Sequence, residues 1–327
     1  MFRLTSVFAA ALIGVCIQSG AAEITLKVVT VFPSNHTLNQ PFMEMIKDLN
    51  ARGKGVLQVH YIGGPEAVPV PEQLSALQRG VTDIFFGPAS FYDGQVPETG
   101  AHNASNKSAM ELRQSNAFEL LNRAFNAKAN AQYLGYLGSG YTFHIYLKDE
   151  PRRTAAGGID MQGLKIRGAS IYRPFYDTQK ITTVNVQVPE IYTALERGVI
   201  DGVGFTTIGL TQLGWDKQVK YRVFPPFWQG DMAIIANVDS WKKLDAKQKE
   251  LLTGAVVETE KKAHAFFQAE GKREEEKLHA AGIKDIRPSA EEGRKYSAAA
   301  FNSLWEQLGK RLPKNDVDDL RKAFYKE

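Results

Sequence analysis

Past an apolar leader, the chain alternates short runs of β-branched and aromatic residues with stretches whose apolar positions recur every three to four residues. That alternation predicts an α/β protein. Glu23 to Val31 reads as a first strand. Leu38 to Asn50 follows as a helix with Phe42, Met45, Ile46 and Leu49 on one face, and Val56 to Ile62 as a second strand. A helix opening near Pro71 and a strand from Val81 to Phe86 complete a β-α-β-α-β order, which favours a parallel, doubly wound sheet. A polar, helix-rich middle from Ser108 to Ala131 precedes strand-like Tyr141 to Leu147. A second set then appears: Leu164 to Arg167, a helix from about Ile171, a strand at Thr183 to Val186, and an apolar run Met232 to Ala236. The longest helical pattern, Ala246 to Ala281, would extend on the order of 50 Å, enough to brace two lobes. Gly282 to Ile286 suits an edge strand, and Ala290 to Leu312 a closing helix.

One segment recurs. Val68-Pro-Val-Pro-Glu-Gln-Leu-Ser-Ala-Leu-Gln-Arg-Gly-Val-Thr-Asp83 returns as Val186-Gln-Val-Pro-Glu-Ile-Tyr-Thr-Ala-Leu-Glu-Arg-Gly-Val-Ile-Asp201. Pro71 and Pro189 suit a first helical turn, where a missing N–H costs nothing, and Glu72 and Glu190 face the positive end of the helix dipole. Gly80 and Gly198 supply left-handed stops. Capping chemistry accounts for the Pro, Glu and Gly, but not for the shared Val, Ala, Leu and Asp. Two copies this far apart predict two lobes of one plan, with something held between them.

Length agrees, since 327 residues exceed what one core usually organises. Residues 1–22 have the basic start, short apolar middle and small-residue exit of a cleaved secretory signal, with the mature chain expected from about Glu23. Cys16, the single cysteine, falls inside that leader, which excludes thiol catalysis, disulfides and cysteine-bound metals from the mature protein. A net charge of +4 with interspersed signs gives no basic stripe for nucleic acid.

Doubly wound sheets bind ligands beyond the carboxyl ends of their strands, so the informative residues are those just after each predicted strand. These are Phe32 and Asn35, Glu66, Gly87-Pro88, Arg167, and Gly202 to Thr206. Arg167 ends a short apolar strand, and its planar fork would match a carboxylate bidentately. Position alone leaves a second role open, in which the guanidinium bonds loop carbonyls or an acid from another element. Esterase, zincin, phosphate-loop and dinucleotide motifs are absent. The six histidines do not pair at metal-ligand spacing, and of them His144, on the Tyr141 strand, comes nearest to a candidate. Aromatic residues including Phe32, Tyr141, Phe143, Phe205 and Trp228 cluster near the expected cleft; those facing it would favour a ligand with an apolar or aromatic body.

The run Asp160-Met-Gln-Gly-Leu-Lys-Ile-Arg167, followed by Pro189 to Gly202, resembles the signature of solute-binding proteins of tripartite ATP-independent periplasmic (TRAP) transporters, and similarity extends over nearly all the mature chain. The resemblance implies a two-lobed periplasmic binding protein, which agrees with the absence of catalytic motifs; no cofactor and no metal ligands are expected from the residues. It would close on an organic acid and deliver it to TRAP permease membrane subunits. It implies that Arg167 anchors the ligand carboxylate and places Glu66 and Pro88 near polar pocket positions. Where the family commonly has an asparagine after the second motif, this chain has Phe205, with Thr206 as a substitute arm; no arginine occupies Gly138 to Phe143, and Phe32 stands where a small polar residue can sit. These exchanges from polar to apolar favour a monocarboxylate with an apolar or aromatic body. The expected division is 23–139 plus 232–272 for one lobe and 140–231 plus 273–327 for the other, in a monomer, with hinges near Gly138 to Tyr141 and Gly230-Asp231. A sensory protein docking on a membrane receptor is the alternative, and a periplasmic hydrolase or lyase with Glu66 as base a further one.

Overall fold

A computed structural model describes residues 22–326; the expected leader, with Cys16, lies outside the described residues. The repeat shows how each half is built. In the first copy, helix Val70–Gln78 stops at Gly80, whose φ of 72° only glycine adopts freely, and in the second copy helix Ile191–Glu196 stops at Gly198 with φ 68°. The shared aspartates then perform one task twice. Asp83 donates its N–H to the Lys27 carbonyl (2.8 Å) and accepts the Lys27 N–H on its carboxylate (2.8 Å). Asp201 does the same with Lys165, at 2.7 and 2.8 Å. Each aspartate thus pins its incoming strand to the edge of a neighbouring one, and the strands begin only at Ile84 and Gly202. The expected strand from Val81 is shortened for this reason, and Val81 and Val199 stay about half exposed, at 51% and 52%.

Two sheets result. The first runs in the order Leu57–Gly63, Ile24–Thr30, Ile84–Pro88, Met232–Asn237, Ala131–Tyr136. Its first three strands are parallel, and Met232–Asn237 is antiparallel to both neighbours. The second runs Lys284–Ile286, Tyr221–Val223, Thr142–Leu147, Gly202–Thr206, Lys165–Arg167, Thr182–Val184, with Phe227–Gln229 also pairing to Thr142–Leu147. There Thr142–Leu147 is the antiparallel strand, beside the parallel trio that carries the second repeat. In each sheet the antiparallel strand is the one the chain carries in from the other lobe. Strand Ala131–Tyr136, which starts at the last residue of the stretch the sequence marked as helix-rich, follows helix Ala117–Ala129 through the single left-handed residue Asn130, with no loop to announce it.

The two crossings pass against each other. A Cβ on Gly138 would lie 2.4 Å from the Gly230 carbonyl oxygen, and one on Gly230 would lie 2.1 Å from the Tyr141 ring. Side chains are excluded at both places, so the backbones can touch. Helix Ala246–Ala280 spans 35 residues, opened by a reciprocal capping box between Asp245 and Gln248. Near its start Gln248 donates to the Val56 carbonyl; at its middle Glu260 pairs with Arg113 and accepts the Tyr136 N–H (2.8 Å). Near its end Glu274 holds the N–H and hydroxyl of Thr211, both at 2.7 Å. One helix therefore braces both sheets. Helix Ala290–Arg311 packs on residues 173–178 and 227–229, and helix Lys314–Phe324 on residues 100–103 and 117–129. No helix among the described residues is long and apolar enough to cross a membrane.

Candidate functional site

Arg167 closes the strand Lys165–Arg167, whose Ile166 is fully buried and whose pairing with Gly202–Thr206 fixes the direction in which the next side chain leaves the sheet. The guanidinium enters the space between the sheets and is only 8% exposed. Its Nε donates to the Val186 carbonyl at 3.1 Å. Of the two internal partners that position alone had left open, the loop carbonyl is therefore present on Nε, whereas among the described residues no carboxylate forms an ion pair with the guanidinium and neither Nη donates a hydrogen bond. Burial pulls its pKa below the usual arginine value, partly offset by Tyr172 and Tyr176. Arginine nevertheless stays charged at any physiological pH, so the site contains a buried cation with donors to spare.

A narrow cavity of about 40 Å³ between the lobes gathers Arg167, Phe205, Thr206 and Phe143 with Phe32, Pro88 and Tyr141. Two candidates fall elsewhere. Glu66 is exposed on its loop, where its carboxylate folds back onto the Gly64 N–H (2.6 Å), so it neither lines the cavity nor stands as a base. Trp228 adopts a left-handed backbone (φ 48°), and its ring lies in the core, tilted against Phe175 and edge-on to Phe227, donating its indole N–H to the Ala300 carbonyl at 2.7 Å. Thr206 does line the cavity, but its hydroxyl donates to the Ile208 carbonyl (2.5 Å), leaving only acceptor capacity on that oxygen. It offers a carboxylate nothing in this rotamer. His144 hydrogen-bonds the Val223 carbonyl (2.8 Å) within the core and takes no part. The cluster Glu275, His279 and Asp285 has metal-like spacing, yet Arg222 already bridges both acids at 2.7 and 2.8 Å.

The sequence reading missed the opposite wall. Ser90, Asn103 and Asp231 line the cavity from the first lobe. Asp231 is 2% exposed, accepts the Ser90 N–H at 2.9 Å, and has its carboxyl pushed up to about 6 by burial. Its signal was present: a lone acid within the apolar stretch from Phe227 to Ala236, considered only as part of a hinge. Tyr172 also lines the cavity, and burial raises its pKa, with Arg167 opposing and Asp231 adding to the shift.

The mouth of the cleft is bridged by side chain and backbone. Gln212, in the loop after Gly202–Thr206, accepts from the N–H (3.2 Å) and hydroxyl (3.1 Å) of Thr37 and donates to the Asn35 carbonyl (3.0 Å). His36, between those two residues, stacks on Phe32 with ring centroids 4.4 Å apart and packs against Gly209 of the second lobe. Its Nδ1 accepts the Leu38 N–H, while Nε2 is buried without a partner, and burial lowers its pKa to about 4.

Two lobes with a shared plan, a bracing helix and a cavity between them define a bilobal solute receptor. The model for the family described as bacterial extracellular solute-binding protein, family 7, matches residues 28–311, and the chain belongs to this family of TRAP solute receptors. Its members bind solutes and are not enzymes; they are extracytoplasmic and work with a membrane permease. The chain is 23% identical to a monocarboxylate 2-oxoacid-binding periplasmic protein of a Nostoc species over 326 residues, 95% of this chain and 86% of that one. Among solved structures it resembles an extracytoplasmic solute receptor of Bordetella pertussis binding pyroglutamic acid (TM-score 0.78, 17% identity, covering 92% and 99% of the two chains). A TRAP solute-binding protein of Desulfovibrio salexigens with bound orotic acid is also similar (TM-score 0.80, 16% identity, 92% and 97% covered).

Proposed function

We propose that this receptor captures a monocarboxylate with an apolar or aromatic body, pairs its carboxylate with Arg167, closes its lobes around it and presents it to the TRAP permease. The observation that carries this is the Arg167 guanidinium: buried, charged, without an acid of the chain beside it, and facing a cavity whose other walls include Phe32, Phe143 and Phe205. Enclosing such a cation unpaired costs several kcal/mol, so closure is favoured only when an anion enters with it. The acids named for the three relatives are all carboxylates, which supports the reading. The chain would act as a monomer in the periplasm after loss of residues 1–22, hinged at Gly138 to Tyr141 and Gly230-Asp231, within the lobe division expected from the sequence.

Isothermal titration of aromatic and branched 2-oxo and 2-hydroxy acids against the wild type and Arg167→Ala tests the proposal. Arg167→Ala should weaken acid binding by about 2–5 kcal/mol. Equal affinity in the two proteins would refute the anchor role, and turnover of the bound acid would refute the receptor role.

A further inference from the structure

The walls of the cavity differ in hydrogen-bonding sign. On the second lobe, Arg167 brings donors only. On the first lobe the chemistry is reversed. Asp231 is a buried carboxyl with no cation of the chain paired to it among the described residues. Asn103 is 1% exposed; its Nδ2 donates to the Gln229 carbonyl at 2.8 Å, which fixes the amide orientation, because the flipped form would set two oxygens against each other. Its Oδ1 is then a buried acceptor with no partner. Burying such an atom is unfavourable unless something donates to it.

Resting on the Arg167 reading above, we propose that Asp231 and Asn103 form a second recognition pole that selects acids bearing an N–H or O–H donor remote from the carboxylate and rejects dicarboxylates. A ligand oriented with its carboxylate on Arg167 presents its far end to the first-lobe wall. A hydroxyl, amide or ammonium there donates to the Asp231 carboxylate and to Asn103 Oδ1. A methyl group leaves Asn103 Oδ1 without a donor and the Asp231 carboxylate with only its neutral neighbours, and a second carboxylate places like charges together between the lobes. Burial pushes the Asp231 carboxyl up to about 6 even though Ser90 and Asn103 donate to it, because neither neighbour brings a positive charge. These donors, the Ser90 N–H at 2.9 Å among them, are neutral and leave the carboxylate charge without a counter-charge.

The test is a matched panel titrated by calorimetry at neutral pH into wild type, Asp231→Asn and Arg167→Ala. It comprises 4-hydroxyphenylacetate, 4-methylphenylacetate and 4-carboxyphenylacetate, with short ω-hydroxy acids beside their ω-methyl and ω-carboxy counterparts to scan the spacing. In the wild type the best hydroxy acid should bind on the order of tenfold more tightly than its methyl counterpart, and the diacid at least tenfold more weakly than the hydroxy acid. Asp231→Asn should lift most of the diacid penalty while Arg167→Ala weakens every member alike. If hydroxy and methyl acids bind within twofold, or diacids bind as well as hydroxy acids, while Arg167→Ala still abolishes binding, the second pole is wrong and the anchor stands. If Arg167→Ala changes nothing, or no acid of the panel binds at millimolar concentration, the anchor fails and the second pole with it. Should Asp231→Asn not fold, the wild-type ranking alone decides.

Discussion

Replacing Gln212 with alanine removes three hydrogen bonds that join the lobes at the cleft mouth, two accepted from Thr37 and one given to the Asn35 carbonyl. Each such bond contributes about 0.5–1.5 kcal/mol net, with exposed ones at the low end, for a gross gain of about 2 kcal/mol. Ordering a glutamine side chain costs about 1 kcal/mol or more in rotamer freedom. The difference, about 1 kcal/mol, is a roughly fivefold change in the closed-to-open ratio, and apparent affinity follows the competent population. If the lobes part at this mouth on opening, the loss should fall on ligand dissociation and leave association nearly unchanged. Stopped-flow tryptophan fluorescence with an acid that the wild type binds would separate the two rates; Trp215, 4.8 Å from the Phe205 ring at the cavity wall, is a natural reporter. Thermal stability without ligand should change little, since neither sheet depends on these bonds. An unchanged dissociation rate, or a loss confined to association, would refute the latch.

Asp231 and His36 should pull acid stability in opposite directions. The Asp231 carboxyl is raised from 3.8 to about 6, so its contribution is fully present below pH 3.8 and lost as pH rises through 6; the His36 imidazole is lowered from 6.5 to about 4, so its contribution is present above pH 6.5 and lost as pH falls through 4. Each shift corresponds to roughly 3 kcal/mol. In chemical denaturation series, Asp231→Asn should therefore lose stability more steeply than wild type from pH 6 down to 4, and His36→Asn less steeply; parallel curves would refute both assignments. Gly230→Ala puts a methyl 2.1 Å from the Tyr141 ring and should cost about 1–3 kcal/mol of stability, measured by urea denaturation, whereas Gly254→Ala, open on the face of the long helix, should cost nothing.

Much of the architecture was legible because it rests on local chemistry. The long helix runs from Ala246 to Ala280, one residue short of its expected end, because a capping box and an unbroken helix-forming composition are written in consecutive residues. The duplicated Pro-Glu and Arg-Gly units announced two similar halves for the same reason. Strand Ala131–Tyr136 escaped notice because Asn130 alone turns the chain, and Tyr221–Val223 because three residues carry too little periodicity.

Arg167 could be picked out from sequence since a strand end and a resemblance both pointed to it. The partners it meets could not. Asp231 is far along the chain from Ser90 and Asn103 and reaches them because Met232–Asn237 returns antiparallel beside Ile84–Pro88, bringing Asp231 against Ser90. Glu66 and Trp228 show the converse: residue type and position suggested the cleft, but the carboxylate folds onto its own loop and the indole lies in the core. Short-range periodicity, caps and the repeat thus determined the class of fold and the cation at its centre. Which side chains face that cation depended on long-range strand pairing and on the close passage of two glycines, where burial and backbone contact, rather than neighbouring sequence, set the direction of each group.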